Sequence, residues 1–272
     1  MSQQRRAADI FSAMSRYPTA QNGFRMPGLS SMISRVTAYQ SAITKMPEPV
    51  QRLHAIAQRA TRRQQMFEAA GWLPHYTTPF DDMDALTDDD AAGDLLDAHY
   101  RENWVDVRRE FEAQLAGYTI DEEARAVFLE ALSCHEVGAY RAVSRLLFPD
   151  IERLATAVFP KRRAREGGPV GALREFAAGL YLDQTNPGGV EGYELFRRLD
   201  EHLYAQVHTD EEVERARLDP VPMRHATLHG KAPYSTFRNS LNAVIMADYV
   251  LQVISIRNLE IATKTDEDPG ER

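Results

Sequence analysis

The sequence contains one cysteine, Cys134, among 272 residues. An intramolecular disulfide needs two cysteines, so a disulfide framework is excluded and we expect Cys134 to be structural. Runs of apolar residues fall well short of the ~18 that span a membrane. Residues 1–11 (MSQQRRAADIF) lack the apolar core of a signal peptide. We therefore expect a soluble, cytoplasmic protein that makes no membrane contact.

Several chemical signatures are also missing from the sequence. GGPVG at 167–171 has neither the spacing nor the lysine of a phosphate-binding P-loop. His135 begins a pattern like the zinc-binding helix of a metalloprotease, but Ala139 stands where the second histidine is needed. The aspartate-rich segment 81–94 does not match a calcium loop, because its carboxylates and glycine are out of register. The sequence therefore predicts no bound cofactor and no metal, and residues 81–94 are expected to be a linker with helix N-caps.

Basic residues are fewer than acidic ones, 32 against 40, and the formal net charge is −8. The imbalance is uneven along the chain, because residues 1–80 carry a net +7 and residues 81–272 a net −15. This asymmetry leaves two interpretations open. The basic arm contacts a polyanion such as RNA, or it lies across the acidic body or a second subunit.

Apolar residues recur three or four positions apart along most of the chain, which predicts helices. Strict apolar–polar alternation bounded by turns is missing, so we expect few strands or none. We predict an all-α protein with four parts. These are a basic arm punctuated by proline and glycine (1–48), a helix and acidic linker (49–90), a helical bundle (91–260) and a polar tail (261–272).

Start and stop signals predict several helix boundaries. Pro49 suits the first turn of a helix and Gly71 suits its end. Residues 91–115 carry one helical apolar pattern. Ser235 or Thr236 is positioned to cap a long final helix.

One segment, residues 219–230 (DPVPMRHATLHG), is unusually rich in polar side chains that carry chemistry. Pro222 suits the first turn of a helix and Gly230 the position just past its end, so the segment predicts a helix of about two turns. The remaining histidines are isolated along the chain and are expected to be surface or packing residues. They are His54, His75, His99, His202 and His208.

Arg224, His225 and His229 are the candidate functional residues of this segment. His225 and His229 are four residues apart and therefore share one face of a helix. A permanently charged guanidinium and a titratable imidazole near a helix start together suit a phosphate group undergoing chemistry. Two other interpretations stay open: a metal pair whose third ligand is not visible nearby, or a surface turn whose histidines bond to neighbouring backbone.

The order Arg224, a polar residue, three further residues and His229 resembles the signature of the HEPN superfamily of helical ribonucleases. Residues 220–252 resemble the ending of many HEPN-like prophage and defence proteins, in which PNRHxxLHG precedes a turn and a long closing helix. Met223 departs from the asparagine of that pattern. Tyr140 and the run RLLFPDIERL, which contains Glu152, resemble the second helix of the family.

The resemblance implies a HEPN-like helical bundle, here with an N-terminal helical extension, that forms a homodimer in which two Arg–His helices face one cleft. It implies metal-independent cleavage of RNA that leaves 2′,3′-cyclic phosphate and 5′-hydroxyl ends. His229 would be the general base or acid, Arg224 would stabilise charge on the phosphate, and His225 would position its neighbours. Tyr140 and Glu152 would support them. A toxin or phage-defence role follows, with an inhibitory or activating protein partner.

An acidic protein that binds RNA needs a local basic surface. The candidates are three arginines on the outer face of the 49–71 helix and the KRRAR run at 161–165, for which a solvated loop is the alternative. They are Arg59, Arg62, Arg63, Lys161, Arg162 and Arg163. Two other functions stay open: a non-catalytic HEPN-like module that binds RNA, a nucleotide or a protein as a sensor or regulator, and a helical scaffold in which Arg224 and His229 are only structural.

Overall fold

The structure is a computed structural model that describes residues 48–159, 168–180 and 184–267. The chain divides into two compact units, residues 1–55 and 56–272. The described residues form helices and no strand, which confirms the all-α prediction for this part of the chain. Most of the predicted basic arm lies outside the described residues, as does the end of the predicted tail.

The α-helices of the described residues are α1 (Glu48–Ala70), α2 (Phe80–Ala85), α3 (Ala92–Glu102), α4 (Trp104–Ala116), α5 (Glu122–Glu136), α6 (Tyr140–Val158), α7 (Gly168–Gly179), α8 (Gly189–Arg198), α9 (Asp210–Leu218), α10 (Arg224–Leu228) and α11 (Phe237–Glu267). A short 3₁₀ helix (Asp89–Ala91) precedes α3, and a π-helical turn (Leu199–Leu203) follows α8.

Three boundary signals are confirmed. Pro49 falls in the first turn of α1, and Gly71 follows its last residue with a φ of +67°. Thr236 immediately precedes α11, and its Oγ1 accepts a hydrogen bond from the backbone N–H of Asn239 at 3.1 Å. Such a bond satisfies one of the amides that a helix start leaves unpaired.

The prediction of one continuous helix over 91–115 is wrong at one point, because the helix is interrupted at Asn103, between α3 and α4. The backbone N–H of Asn103 and its side-chain Nδ2 both donate to the carbonyl of His99, each at 3.0 Å. An asparagine that bonds to nearby backbone in this way competes with helix continuation. The apolar pattern runs on across the break, so periodicity alone does not reveal it.

α11 is the central core helix. It packs against α5, α6 and α7, and every residue from 239 to 255 is buried. By length and composition, Phe237–Thr263 is apolar enough to cross a membrane; an 18-residue window in it has mean hydropathy 1.2 and is 94% buried inside the protein. Counting apolar runs in the sequence misses this stretch because polar residues such as Asn242 and Asp248 interrupt it.

Two asparagines of α11 anchor loops from distant parts of the chain. The Asn242 side chain accepts from the N–H of Leu73 at 3.0 Å and donates to the carbonyl of Gly71 at 3.0 Å. It also donates to the carbonyl of Pro220 at 3.2 Å, and Asn239 donates to the same carbonyl at 2.9 Å. These bonds fix the loop that leads into α10.

Gly71 makes a close approach to that loop. A Cβ atom built on Gly71 would lie 2.3 Å from Cγ of Pro220, and its φ of +67° is already unfavourable for a residue with a side chain. Gly71 therefore allows the connector after α1 to pack directly against the residues that precede α10.

Candidate functional site

The candidate site is built on α10 and the residues on either side of it. Met223, which precedes α10, has an extended backbone (φ −98°, ψ 132°), and its N–H donates to the hydroxyl of Tyr234 at 3.2 Å. Gly230, two residues after α10, has a φ of +66°. The predicted helix of about two turns with Pro222 in its first turn is therefore wrong: α10 is 5 residues long and starts at Arg224. In the preceding loop, the carbonyl of Pro220 is bound by side chains of α11 and the carbonyl of Val221 by His202, so the loop does not join the helix.

Arg224 faces α6. Its guanidinium donates to the carboxylate of Glu152, and both side chains are partly exposed. The Nε of Arg224 is buried and has no hydrogen-bond partner. The structure thus brings together the arginine and one of the two supporting residues named from the sequence. It also leaves part of the guanidinium unpaired.

Tyr140, the other supporting candidate, lies elsewhere. It stands 12 residues before Glu152 on α6, which is about 18 Å along a helix. Its ring packs near the rings of His135 (5.5 Å between centroids) and Phe237 (6.0 Å). The structure places Tyr140 in an aromatic cluster and not beside Arg224.

Tyr204 is a further residue of the candidate site that the sequence analysis did not identify. Its hydroxyl is buried without a hydrogen-bond partner. Burial, and then the negative charge of Glu152, raise the pKa of Tyr204 well above its ordinary value, while Arg224 acts in the opposite direction. The phenol is therefore held protonated beside the Arg224–Glu152 pair, where it can donate a hydrogen bond.

His225 is fixed in one tautomer. Its Nδ1 accepts a hydrogen bond from the backbone N–H of Val207 at 3.2 Å. The proton of the neutral ring must then be on Nε2. Burial, followed by the charges of His229 and Lys231, lowers the pKa of His225 below its ordinary value. At neutral pH, His225 is therefore an uncharged side chain that donates through Nε2.

His229 lies beside His225, and their ring centroids are 4.5 Å apart. The shared face predicted from their spacing is confirmed. Unlike His225, His229 is exposed, and its ring can reach a ligand in solvent. The two imidazoles of the segment are thus differently placed, one fixed by backbone and one open.

His208 adds a third imidazole, with its ring centroid 5.4 Å from that of His225. This contact could not be predicted from the sequence, because His208 is isolated along the chain and comes close only through folding. A metal would need the lone pair on a ring nitrogen of His225, and Nδ1 is already occupied by Val207. Within the described residues, no group of three histidine, cysteine or acidic side chains is arranged to hold a metal ion.

Lys231 supports the same backbone. Its Nζ donates to the carbonyl of Val207, the residue whose N–H bonds to His225. The carbonyl of Lys231 in turn accepts from Nε of Arg217 at 3.0 Å. Both backbone polar groups of Val207, its N–H and its carbonyl, are therefore hydrogen-bonded, and this holds the imidazole of His225 in place.

The three arginines of α1 proposed for RNA binding all have carboxylate partners, supplied mainly by the aspartate-rich segment. Such pairing reduces the positive charge available to a polyanion. The pairs are Arg59–Asp84 at 3.5 Å, Arg62–Asp89 at 2.7 Å, Arg63–Asp84 at 2.7 Å and Arg63–Glu191 at 3.0 Å. The other three candidates, Lys161, Arg162 and Arg163, lie outside the described residues.

Comparisons of the chain with protein-family models, curated proteins and solved structures find no match. The resemblance of the Arg224–Gly230 segment to the HEPN signature therefore stays a prediction.

Proposed function

We propose that this protein is a metal-independent endoribonuclease of HEPN type, acting in the cytoplasm as a homodimer. The observation that carries the proposal is the set of side chains on α10: an arginine, an uncharged imidazole fixed by backbone and an exposed imidazole. These are the groups that cleavage through a 2′-hydroxyl needs, namely a charge stabiliser, a hydrogen-bond donor and a proton acceptor.

His229 takes the proton of the 2′-hydroxyl. The 2′-oxygen then forms a bond to phosphorus, and the bond from phosphorus to the 5′-oxygen breaks. The 5′-oxygen leaves with a proton from water or from the imidazolium of a second copy, which gives a 2′,3′-cyclic phosphate and a 5′-hydroxyl. His225 donates through Nε2 to the phosphate, and Arg224 stabilises the charge that develops on it.

The Arg224–Glu152 pair supports a step before chemistry. The carboxylate of Glu152 accepts a hydrogen bond from Nη2 of Arg224 and therefore competes with a phosphate for that donor. Substrate phosphate would replace Glu152 at the Nη2 of Arg224. A toxin or phage-defence protein held in check by a partner could be regulated at this step.

The same ion pair favours a second candidate, a non-catalytic module that binds RNA, a nucleotide or a protein. In that case opening the Arg224–Glu152 pair is the signal itself, and no bond is broken in the ligand. The two candidates differ in whether His229 changes the covalent structure of the RNA.

Cleavage of total tRNA and a mixed RNA by purified protein in EDTA tests the nuclease. We expect cutting by the wild type, loss of cutting in His229→Ala and unchanged cutting in Leu228→Ala, a matched truncation of the neighbouring residue. The 3′ ends should carry cyclic phosphate. RNA that is bound but not cut by the wild type would favour the second candidate.

Arg224→Lys tests the role of the guanidinium. Lysine keeps the charge but not the planar fork that holds two phosphate oxygens, so we expect activity to fall as far as in Arg224→Ala. Sedimentation at micromolar concentration tests the homodimer. A 30.8 kDa species would contradict a site shared between two copies.

A further inference from the structure

A cleft lined by more basic than acidic side chains includes Asp219 and Pro220, which lie in the loop that precedes α10. It is formed by the end of α3, the end of α9 with the residues after it, and the start of α11, and its volume is about 350 Å³. Three arginines line it, Arg101, Arg217 and Arg238, together with two aspartates, Asp97 and Asp219. This is unusual in residues 81–272, whose net charge is −15. No motif of the sequence indicated the cleft, because its arginines come from three separate helices.

Arg101 is the arginine of the cleft whose charge is not paired in the part of the chain that the structure describes. Its side chain is exposed and forms no ion pair with any carboxylate of the described residues. The guanidinium carbon lies 4.1 Å from the centroid of the Phe237 ring, which supports one face of the group. Stacking of this kind holds a guanidinium in place without using its N–H groups. Arg101 thus offers its donors and an uncompensated charge to the cleft.

The other two arginines are held by protein groups and shape the cleft. Arg238 donates to Asp97 at 2.7 Å and stacks at 5.4 Å on Trp72. Arg217 donates to the carbonyl of Lys231 at 3.0 Å. Arg217 also lies 3.6 Å from a carboxylate oxygen of Glu214, so the charges of Arg217 and Arg238 are both paired and Arg101 supplies most of the free positive charge.

The cleft is connected to the candidate site by a short chain of contacts. Arg217 bonds to the carbonyl of Lys231, and the ammonium of Lys231 bonds to the carbonyl of Val207. The N–H of Val207 bonds to Nδ1 of His225. One set of hydrogen bonds therefore holds both Arg217 of the cleft and the imidazole of His225.

We propose that the Arg101 cleft binds a backbone phosphate of the RNA substrate, outside the phosphate that is cut. This rests on the proposed nuclease function and names how its substrate is held. A single strand carries a phosphate at every nucleotide, and arginine is the side chain best suited to bind one. The cleft supplies the local positive surface that an acidic protein needs to bind RNA.

Binding is tested without chemistry in a His229→Ala background, using fluorescein-labelled single-stranded RNA and fluorescence anisotropy. We expect Arg101→Ala to weaken binding about fivefold to tenfold and to lower the slope of affinity against salt by about 0.7, the value for one lost phosphate contact. Arg109→Ala is the matched control, because Arg109 is an exposed arginine on the neighbouring helix α4 that pairs with Asp106 at 2.7 Å. Equal effects of the two substitutions would overturn the proposal.

Cleavage separates this proposal from the nuclease itself. With otherwise wild-type protein, Arg101→Ala should raise KM for a long RNA and leave the cleavage of a dinucleotide, which has one phosphate, unchanged. If the wild type cuts RNA and Arg101→Ala behaves like Arg109→Ala, the proposed RNA-binding role of the cleft is contradicted and the proposed nuclease activity is supported. If nothing is cut but Arg101→Ala alone weakens binding, the nuclease activity is contradicted and RNA binding by the cleft is supported. A thermal unfolding curve for each variant verifies that it is folded.

Discussion

Replacing Gly71 by alanine tests whether the connector after α1 is packed as closely against the α10 loop as the structure shows. The substitution acts in two ways. It places a side chain on a residue with a φ of +67°, and it puts a Cβ 2.3 Å from Cγ of Pro220. Pro220 cannot move away easily, because its carbonyl is held by Asn239 and Asn242.

The two effects have different magnitudes. The left-handed backbone costs about 1–2 kcal/mol for a residue with a side chain. Forcing a methyl group into a packed contact typically costs a further ~1–3 kcal/mol. Gly138 provides the control, because it has a φ of +78° and no atom within 4 Å of a built Cβ. Gly138→Ala should therefore show the backbone cost alone.

Urea unfolding followed by circular dichroism gives the free energy of unfolding of each variant. We expect Gly71→Ala to be less stable than Gly138→Ala by about 1–3 kcal/mol. Each kcal/mol corresponds to roughly 2–4 °C in Tm for a unit of this size. Both variants gain equally from a stiffer unfolded chain, so this gain cancels in the comparison. Equal stability of the two variants would refute the close contact between Gly71 and Pro220.

Three further predictions concern pH, the ion pair and a loop anchor. Burial lowers the pKa of His135 to about 3, whereas the pKa in the unfolded chain is about 6.5. Between these two values the unfolded state binds a proton that the folded state does not, so the free energy of unfolding decreases as the pH is lowered. From pH 7 to pH 4.5, the free energy of unfolding measured in urea should decrease by about 2 kcal/mol less in His135→Gln than in the wild type. The same decrease in both proteins would contradict this. Glu152→Gln should release Arg224 and tighten RNA binding severalfold in anisotropy, whereas weaker binding would show that the carboxylate positions the guanidinium. Asn242→Ala removes three hydrogen bonds and should lower the free energy of unfolding by about 2–4 kcal/mol, and a loss below about 1 kcal/mol would show that water replaces them.

Local sequence signals were sufficient for the parts of the fold set by a few neighbouring residues. Gly71 ends α1 because it can adopt a positive φ, and Thr236 starts α11 because its hydroxyl binds an amide three residues later. The helical class follows from apolar spacing alone. In the candidate site, the spacing of His225 and His229 correctly predicted that they share one face, and their ring centroids lie 4.5 Å apart.

Other features depend on contacts between distant residues, which no local pattern encodes. His208 joins His225 only because the backbone at Val207 is held next to α10. Pro222 satisfies the local rule for a helix start, but its loop is bound by α11 and the helix begins later. In the sequence, the arginines of α1 are typical of a basic surface. In the structure, the acidic segment packs against them and pairs with their charges.

His75 illustrates the same limit in the core. The sequence allowed either a surface or a packing role, and the structure stacks its ring on Phe111 with centroids 4.3 Å apart. Its Nε2 lies 3.5 Å from a carboxylate oxygen of Asp248, which is fully buried. Burial lowers the pKa of His75, with the nearby carboxylate acting in the opposite direction. A buried histidine beside a buried acid cannot be recognised from two positions so far apart in the chain.

The most direct test of the nuclease account uses an RNA with a single mapped cut site and the same RNA with a 2′-deoxynucleotide on the 5′ side of that site. Cleavage in EDTA is followed with wild-type protein and His229→Ala. The account predicts that the wild type cuts the all-ribose strand, leaves a cyclic phosphate and fails to cut at the 2′-deoxy position. Cutting at the 2′-deoxy position, or equal cutting by His229→Ala, would contradict attack by the 2′-hydroxyl with His229 as its base.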